Sequence, residues 1–250
     1  MNFMGVGIGL LAFLGLGVYD LGRNKRVDAA GIKRYFTGNG LFTWLLSPVN
    51  TLLDILSLPY INKGIYKLED LPPSHQAEIK RLIDAAHKEN LVEKMAEKIK
   101  DNPRTMFFFK WYGQDVKNDI DVPSFHENYK YIKTIGVSVF NKKQSTSKHF
   151  GPMRATLRVL YNVNDMKDKT AYIEVGDCFH YWQDEKLFIF DDTLQHQSFN
   201  DSDNVRYCLF VDIMRPCLLP GLLSVFVSIL CLLLKGVNNV FYKNWKVVKP

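Results

Sequence analysis

Cysteine is scarce. Cys178, Cys208, Cys217 and Cys231 are the only four in 250 residues, with no CxxC pair and no even spacing. A disulfide scaffold is therefore excluded, and free thiols in a reducing compartment are expected. The soluble middle of the chain has no GxGxxG and no P-loop motif, and the glycines near the N-terminus precede no phosphate-binding turn. No internal repeat is present, and no stretch alternates strand and helix in the βαβ manner. Charged residues are 23% and apolar ones 47%, which excludes a disordered or collagen-like chain. The charge excess is modest, 32 − 26 = +6. Much of it flanks apolar segments rather than an aromatic-basic groove. An anionic membrane surface is thus the expected partner, and no nucleic acid.

Long apolar runs are present. Residues 1–19 carry no charge, and Asp20, Arg23, Lys25 and Arg26 follow. A run of about 17–25 residues can span a bilayer. No basic segment precedes the run and no A-x-A-like site follows it, so an anchor is expected rather than a cleaved signal peptide. A buried core helix is the competing reading. Gly5, Gly7, Gly9, Gly15 and Gly17 speak against it, because glycine weakens a helix in water and is better tolerated in membranes. The basic cluster predicts an inner (cytoplasmic) membrane location with the folded domain on the cytoplasmic side.

Leu41–Leu58, interrupted by Pro48, Asn50 and Asp54, reads as an interfacial segment or as part of the core. Cys217–Leu234 is long enough to span. Arg215 precedes it, however, and Lys235, Lys243, Lys246 and Lys249 follow it. Basic flanks on both sides favour a segment that dips into one leaflet, with Tyr242 and Trp245 at the interface. The expected organisation is an anchor at 1–22, a basic linker with an interfacial segment at 23–59, a folded domain at 60–216, and a membrane-associated segment with a basic tail at 217–250.

Within the domain, Pro72, Pro73 and Ser74 open a helix. Ile79, Leu82, Ile83, Ala86, Val92, Met95 and Ile99 recur at helical spacing, and Asp101-Asn102-Pro103 ends it, which predicts one amphipathic helix with a solvated charged face. After Pro103 come short β-rich runs: Thr105–Tyr112, Tyr131–Phe140, Ala155–Val163, Ala171–Val175, Phe179–Gln183, Leu187–Phe190 and Arg206–Ile213. The fold class is mainly β, an antiparallel sandwich or barrel with flanking helices and apolar segments at both ends.

Two of the six histidines stand out. His149 follows a polar turn and opens His-Phe-Gly-Pro, and His196 follows an apolar strand; each is expected at a strand edge. Arg158 lies within Ala155–Val163 and Arg206 opens the last strand. The strand period sets Thr156, Arg158 and Leu160 on one face, with Leu157, Val159 and Tyr161 on the other. A cation fixed among apolar strands needs an anionic partner, such as a carboxylate ligand, unless the face is exposed. Of the other histidines, His75 and His87 lie on the charged helix, His126 in a loop, and His180 on a strand.

The stretches Ser138–Val163, Trp182–His196 and Arg206–Pro216 resemble the aspartyl/asparaginyl β-hydroxylase family of iron(II)- and 2-oxoglutarate-dependent dioxygenases. The order His, Gly-Pro, Leu-Arg, Trp, Phe-Asp-Asp, His, Arg, Val-Asp, Arg-Pro is shared. Phe108–Gly113, Phe-Phe-Lys-Trp-Tyr-Gly, and the membrane-flanked layout resemble the lipid A 2-hydroxylase branch, beside ornithine-lipid hydroxylases. The resemblance implies a double-stranded β-helix (jelly roll) over residues 60–216. It implies His149 and His196 as ligands of Fe(II), and Arg206 as the partner of the far carboxylate of 2-oxoglutarate. Ser138 and Arg158 would be further co-substrate contacts, with O2 as oxidant. A guanidinium suits that carboxylate because it binds in a bidentate manner.

Two departures follow from the same motif. The usual facial triad is two histidines and a carboxylate. The acid of an HxD or HxE pattern would fall at position 151, which is Gly151. Leu160 stands where relatives often carry histidine. Asp191 and Asp192 are read as orienting and structural. Three functions remain open: hydroxylation of a membrane lipid's acyl chain at C2, β-hydroxylation of Asp or Asn in a protein, and a non-catalytic jelly roll that binds a lipid or partner.

Overall fold

The structure, a computed structural model, describes residues 3–37, 44–99, 102–233 and 246–247. Alternating β-branched and aromatic residues after Pro103 form two facing antiparallel sheets. The larger runs in the order β1 (Ile65–Tyr66), β9 (Leu187–Phe190), β6 (Thr156–Asn162), β11 (Arg206–Met214), β4 (Ile132–Phe140), β2 (Arg104–Trp111), β12 (Lys246–Val247), with β3 (Gln114–Asp115) paired to β2. The smaller has the order β5 (Gln144–Ser145), β10 (His196–Asn200), β7 (Ala171–Val175), β8 (Cys178–Tyr181). Two sheets folded face to face in this way are the double-stranded β-helix expected from the sequence.

The two faces of the larger sheet bury different cores. Phe107, Phe109, Val137, Val139, Leu209 and Val211 pack outward beneath helices. Met106, Phe108, Leu160, Phe188, Cys208 and Phe210 point inward, toward Ala171, Ile173 and Val175 of the smaller sheet. Every residue of β11 is buried, because helices cover one face and the second sheet the other.

Those helices are α4 (Pro73–Lys88) and α5 (Leu91–Ala96), where the sequence periodicity predicts one helix. Asn90 breaks it by adopting φ 52°, ψ 49°. Asparagine tolerates this left-handed region better than other non-glycine residues, and the turn re-aims Leu91 and Met95 into the same core. Asn90→Ala is expected to destabilise the domain by about 1 kcal/mol, and Asn90→Gly to be neutral or better. Paired urea melts check this, and equal stability of the two variants would refute it. His75 also departs from expectation. It is buried, stacked on Tyr131 at 4.1 Å with Nε2 3.1 Å from the Met214 carbonyl, because the first turn of α4 lies over the adjoining ends of the central strands β4 and β11.

The N-terminal region folds as α1 (Phe3–Gly22), α2 (Ala29–Thr37) and α3 (Ser47–Leu56). At 20 residues α1 is about 30 Å long, enough to cross a bilayer, and its apolar window Gly5–Gly22 is only 11% buried. Within Leu41–Leu58, residues 41–43 lie outside the described residues. Pro48 starts α3 rather than interrupting it, and Asn50 faces inward with Leu53 while Leu52 and Ile55 stay exposed. The described part of the C-terminal apolar segment forms α6 (Pro220–Leu233), 14 residues or about 21 Å long. Lys246 and Val247 then join the larger sheet parallel to Thr105 and Met106. Lys235, Tyr242, Lys243, Trp245 and Lys249 lie outside the described residues.

Candidate active site

His149 and His196 lie far apart in sequence and meet across a single antiparallel bridge, each N–H donating to the other's carbonyl at 3.0 and 2.9 Å. Their rings lie 4.2 Å apart. His149 Nδ1 donates to the Ser147 carbonyl at 2.7 Å and His196 Nδ1 to the Leu194 carbonyl at 2.8 Å. A carbonyl only accepts, so both Nδ1 atoms carry the proton and both Nε2 atoms keep a lone pair. Burial, and next the charge of the neighbouring imidazole, push His149 down to about 3. Burial pushes His196 down to about 4. Both rings are thus neutral at pH 7, the form in which imidazole binds a metal.

Asp192 is the residue that sequence reasoning undervalued. Its Oδ1 lies 3.4 Å from His196 Nε2, and this buried oxygen has no hydrogen-bond donor. A lone pair then faces a carboxylate oxygen with no proton between them, an arrangement that favours an intervening cation. Gly151 makes room for it. A Cβ at position 151 would sit 2.1 Å from Asp192 Oδ2, so glycine is required there by close approach rather than by backbone angle. The carboxylate of Asp192 occupies the space in which an acid at position 151 would have begun. Gly151→Ala is expected to push Asp192 away and weaken metal affinity by roughly 10–100-fold. Titration with Co(II) reads this directly, and an unchanged affinity would remove Asp192 from the site.

Arg158 holds Asp192 in place. Its NH2 group is 3.2 Å from Asp192 Oδ2, its Nε 2.8 Å from Asp212 Oδ1, and its guanidinium lies over Phe210 at 3.6 Å. It thus already engages two carboxylates. Asp191, though adjacent to Asp192, turns away to Arg23 at 2.8 Å and to the Thr193 backbone and hydroxyl. Burial alone would raise its pKa, yet Arg23 and Arg154 hold it below the usual carboxylate range.

Arg206 behaves differently from Arg158. It is 1% exposed on the inner face, and among the described residues no carboxylate pairs with it. Both terminal nitrogens reach only Ser198 Oγ at 3.3 Å, and Nε has no partner. Its guanidinium stacks on Phe140 at 4.1 Å and lies 5.4 Å from the ring of Trp182. Burial without a counter-charge lowers its pKa to about 10. Ser138 sits on the same inner face one strand away, its hydroxyl donating to the Cys208 carbonyl at 3.3 Å. Leu160 also faces inward, among Phe188, Phe190 and Phe210. The interior thus carries an imidazole pair with an orphaned carboxylate oxygen at one end and a cation lacking an anion farther in. This donor set fits a metal ion at the imidazole end and a carboxylate group farther in. Among the described residues no group of three or more His, Cys, Asp and Glu already stands at metal-ligand geometry.

Fold and site define a jelly-roll protein with a paired-histidine centre. The chain belongs to the aspartyl/asparaginyl β-hydroxylase family, whose profile matches residues 74–216. It is 34% identical over 92 residues to the ornithine lipid ester-linked acyl 2-hydroxylase of Rhizobium tropici. That match covers 36% of this chain and 32% of the relative, so the chain spans about a third of the length of that curated protein. Solved structures with partial likeness include AviO1 of Streptomyces viridochromogenes, 12% identical with a TM-score of 0.36, covering 58% of this chain and 86% of that one. A 2OG-Fe(II) oxygenase family oxidoreductase of Burkholderia pseudomallei is 11% identical with a TM-score of 0.28, covering 37% and 48%. Likeness at this level says nothing about chemistry.

Proposed function

We propose that this hydroxylase-family protein is an Fe(II)- and 2-oxoglutarate-dependent dioxygenase that hydroxylates the acyl chain of a membrane lipid at C2. The observation that carries the dioxygenase reading is Arg206, a buried cation without an anion, opening inward from the strand next after the His196 strand. Iron(II) with 2-oxoglutarate and O2 would supply the oxidising power to insert one oxygen atom into a C–H bond, with succinate and CO2 as co-products. His149 and His196 would hold the metal through Nε2, with Asp192 Oδ1 facing it from beside His196. Arg206 takes the far carboxylate of the co-substrate, with Ser138 and Ser198 lining its approach. Arg158 keeps Asp192 turned toward the imidazoles, and Phe210, Leu160 and Trp182 exclude water from the interior.

The lipid reading is supported by α1, whose length and apolar surface suit a bilayer, and by the partial likeness to an acyl 2-hydroxylase. Lys25, Arg26 and Lys33 beside the end of α1 suit anionic headgroups. The inner membrane, with the domain in the cytoplasm, follows from that basic cluster. Residues 23–59 join the anchor to the catalytic domain, and α6 lies against the same leaflet. The test is mass spectrometry of lipids from cells with and without the gene. A lipid species heavier by one oxygen atom is expected only with the gene. An unchanged lipid profile, with a hydroxylated Asp or Asn in a protein instead, would replace the lipid reading.

A further inference from the structure

The family match begins at residue 74, yet one side of the loop that carries His149 is held by residues before it. Tyr35 of α2 packs edge-on against Phe150 at 5.5 Å, and Arg34 donates to Ser147 Oγ at 3.0 Å. Asn50 of α3 brackets the far end of the loop: its Oδ1 accepts from the Arg154 amide at 3.0 Å and its Nδ2 donates to the Pro152 carbonyl at 3.2 Å. The second histidine is reached too, since the Gln195 amide donates to Asn24 Oδ1 at 2.7 Å.

At the centre lies a set of four charges, Arg154, Asp20 and Arg215 buried and Asp54 partly so. Arg154 is bonded to Asp20 in the last turn of α1 and to Asp54 of α3, the latter at 2.7 Å. Asp54 is shared with Arg215 at 2.5 Å, and Asp20 also accepts from the Tyr35 hydroxyl at 2.8 Å. An aspartate in the last turn of an apolar helix opposes the helix dipole and is costly to bury, so Asp20 requires these partners. The helix itself is fitted closely. A Cβ on Gly17 would come within 3.0 Å of the Trp44 ring, and Phe13 meets the same ring at 5.2 Å.

We propose that α1, α2 and α3 are a positioning part of the active site. Through Asp20 and Asp54 they hold Arg154, and through Arg154 the His149 loop, at a fixed place relative to the helices that face the bilayer. This rests on the membrane reading above for the bilayer and on the histidine pair for the metal. Arg154, Asp20 and Tyr35 touch neither metal nor substrate; they act through the loop.

Hydrogen exchange of the full chain in phosphatidylcholine–phosphatidylglycerol vesicles tests it, comparing wild type with Asp20→Asn and Tyr35→Phe. Amides 147–155 are expected to exchange roughly tenfold faster in both variants while those of β4 and β11 keep their protection. Co(II) affinity is expected to fall by about tenfold in parallel. Unchanged exchange of the loop overturns the proposal. So does an equal rise in β4 and β11, which would make the network a support of the whole fold, and so does undiminished Co(II) affinity with a loosened loop. If Asp20→Asn does not fold, Tyr35→Phe removes one hydrogen bond and no charge and gives the same comparison. If the wild type binds no Co(II), the metal reading fails while the exchange comparison still decides whether the helices position the loop.

Discussion

His196→Ala is expected to abolish 2-oxoglutarate turnover and metal binding while leaving the fold intact. The bridge to His149 is made by backbone atoms, so alanine keeps both of its hydrogen bonds. What is lost is the ring: one of two imidazoles that lie 4.2 Å apart, and the contact beside Asp192. Loss of a direct ligand exceeds the roughly 10–100-fold cost of disturbing an outer-shell partner, so with only two imidazoles the activity should fall below detection. Succinate release, Co(II) titration and a thermal melt together make the measurement. Wild-type succinate release from this variant would remove the metal assignment.

Arg206→Met is expected to raise the 2-oxoglutarate requirement sharply without costing stability. Truncating a desolvated Arg–carboxylate contact commonly costs about 2–5 kcal/mol, roughly thirty- to several-thousandfold in affinity. The stability side separates this from a structural role. A buried ion pair broken at one partner destabilises strongly, but Arg206 has no anionic partner to strand among the described residues. Removing a cation whose burial is uncompensated should leave the melting temperature equal or higher. A wild-type requirement for 2-oxoglutarate, or a large fall in melting temperature, would make Arg206 structural. Arg158→Met should behave in the opposite way, because it strands Asp212 and Asp192 at once.

Much of the fold was legible because its strands are apolar on at least one face. Leu187–Phe190 and Ala171–Val175 have the bounds that their composition predicts. The strand His196–Asn200 was missed for a physical reason. Its inward residues are His196, Ser198 and Asn200, which line the polar interior of the site, so it lacks the alternation of a strand packed on a core. Arg158 and Arg206 had looked alike, both being cations on inward strand positions. Only the packing distinguishes them, by bringing Asp192 and Asp212 to one and leaving Ser198 alone to the other. Asn50 and Asp54 read as interruptions of an apolar stretch, and turned out to be the inward face of a helix that grips Arg154.

The sequence by itself determined the β class, the anchor-like first segment, and the pair of histidines with their flanking Gly-Pro and Asp-Asp. Hydrophobic periodicity and motif order are local properties, readable wherever neighbouring residues carry them. The tertiary structure alone decided that Asp192 fills the space left by Gly151, that Lys246 and Val247 pair as β12 with β2, and that α1 is tied to the His149 loop. Each of these joins residues 41 or more positions apart: their partners are set by how two sheets and three helices close on one another, and no local pattern encodes that closure.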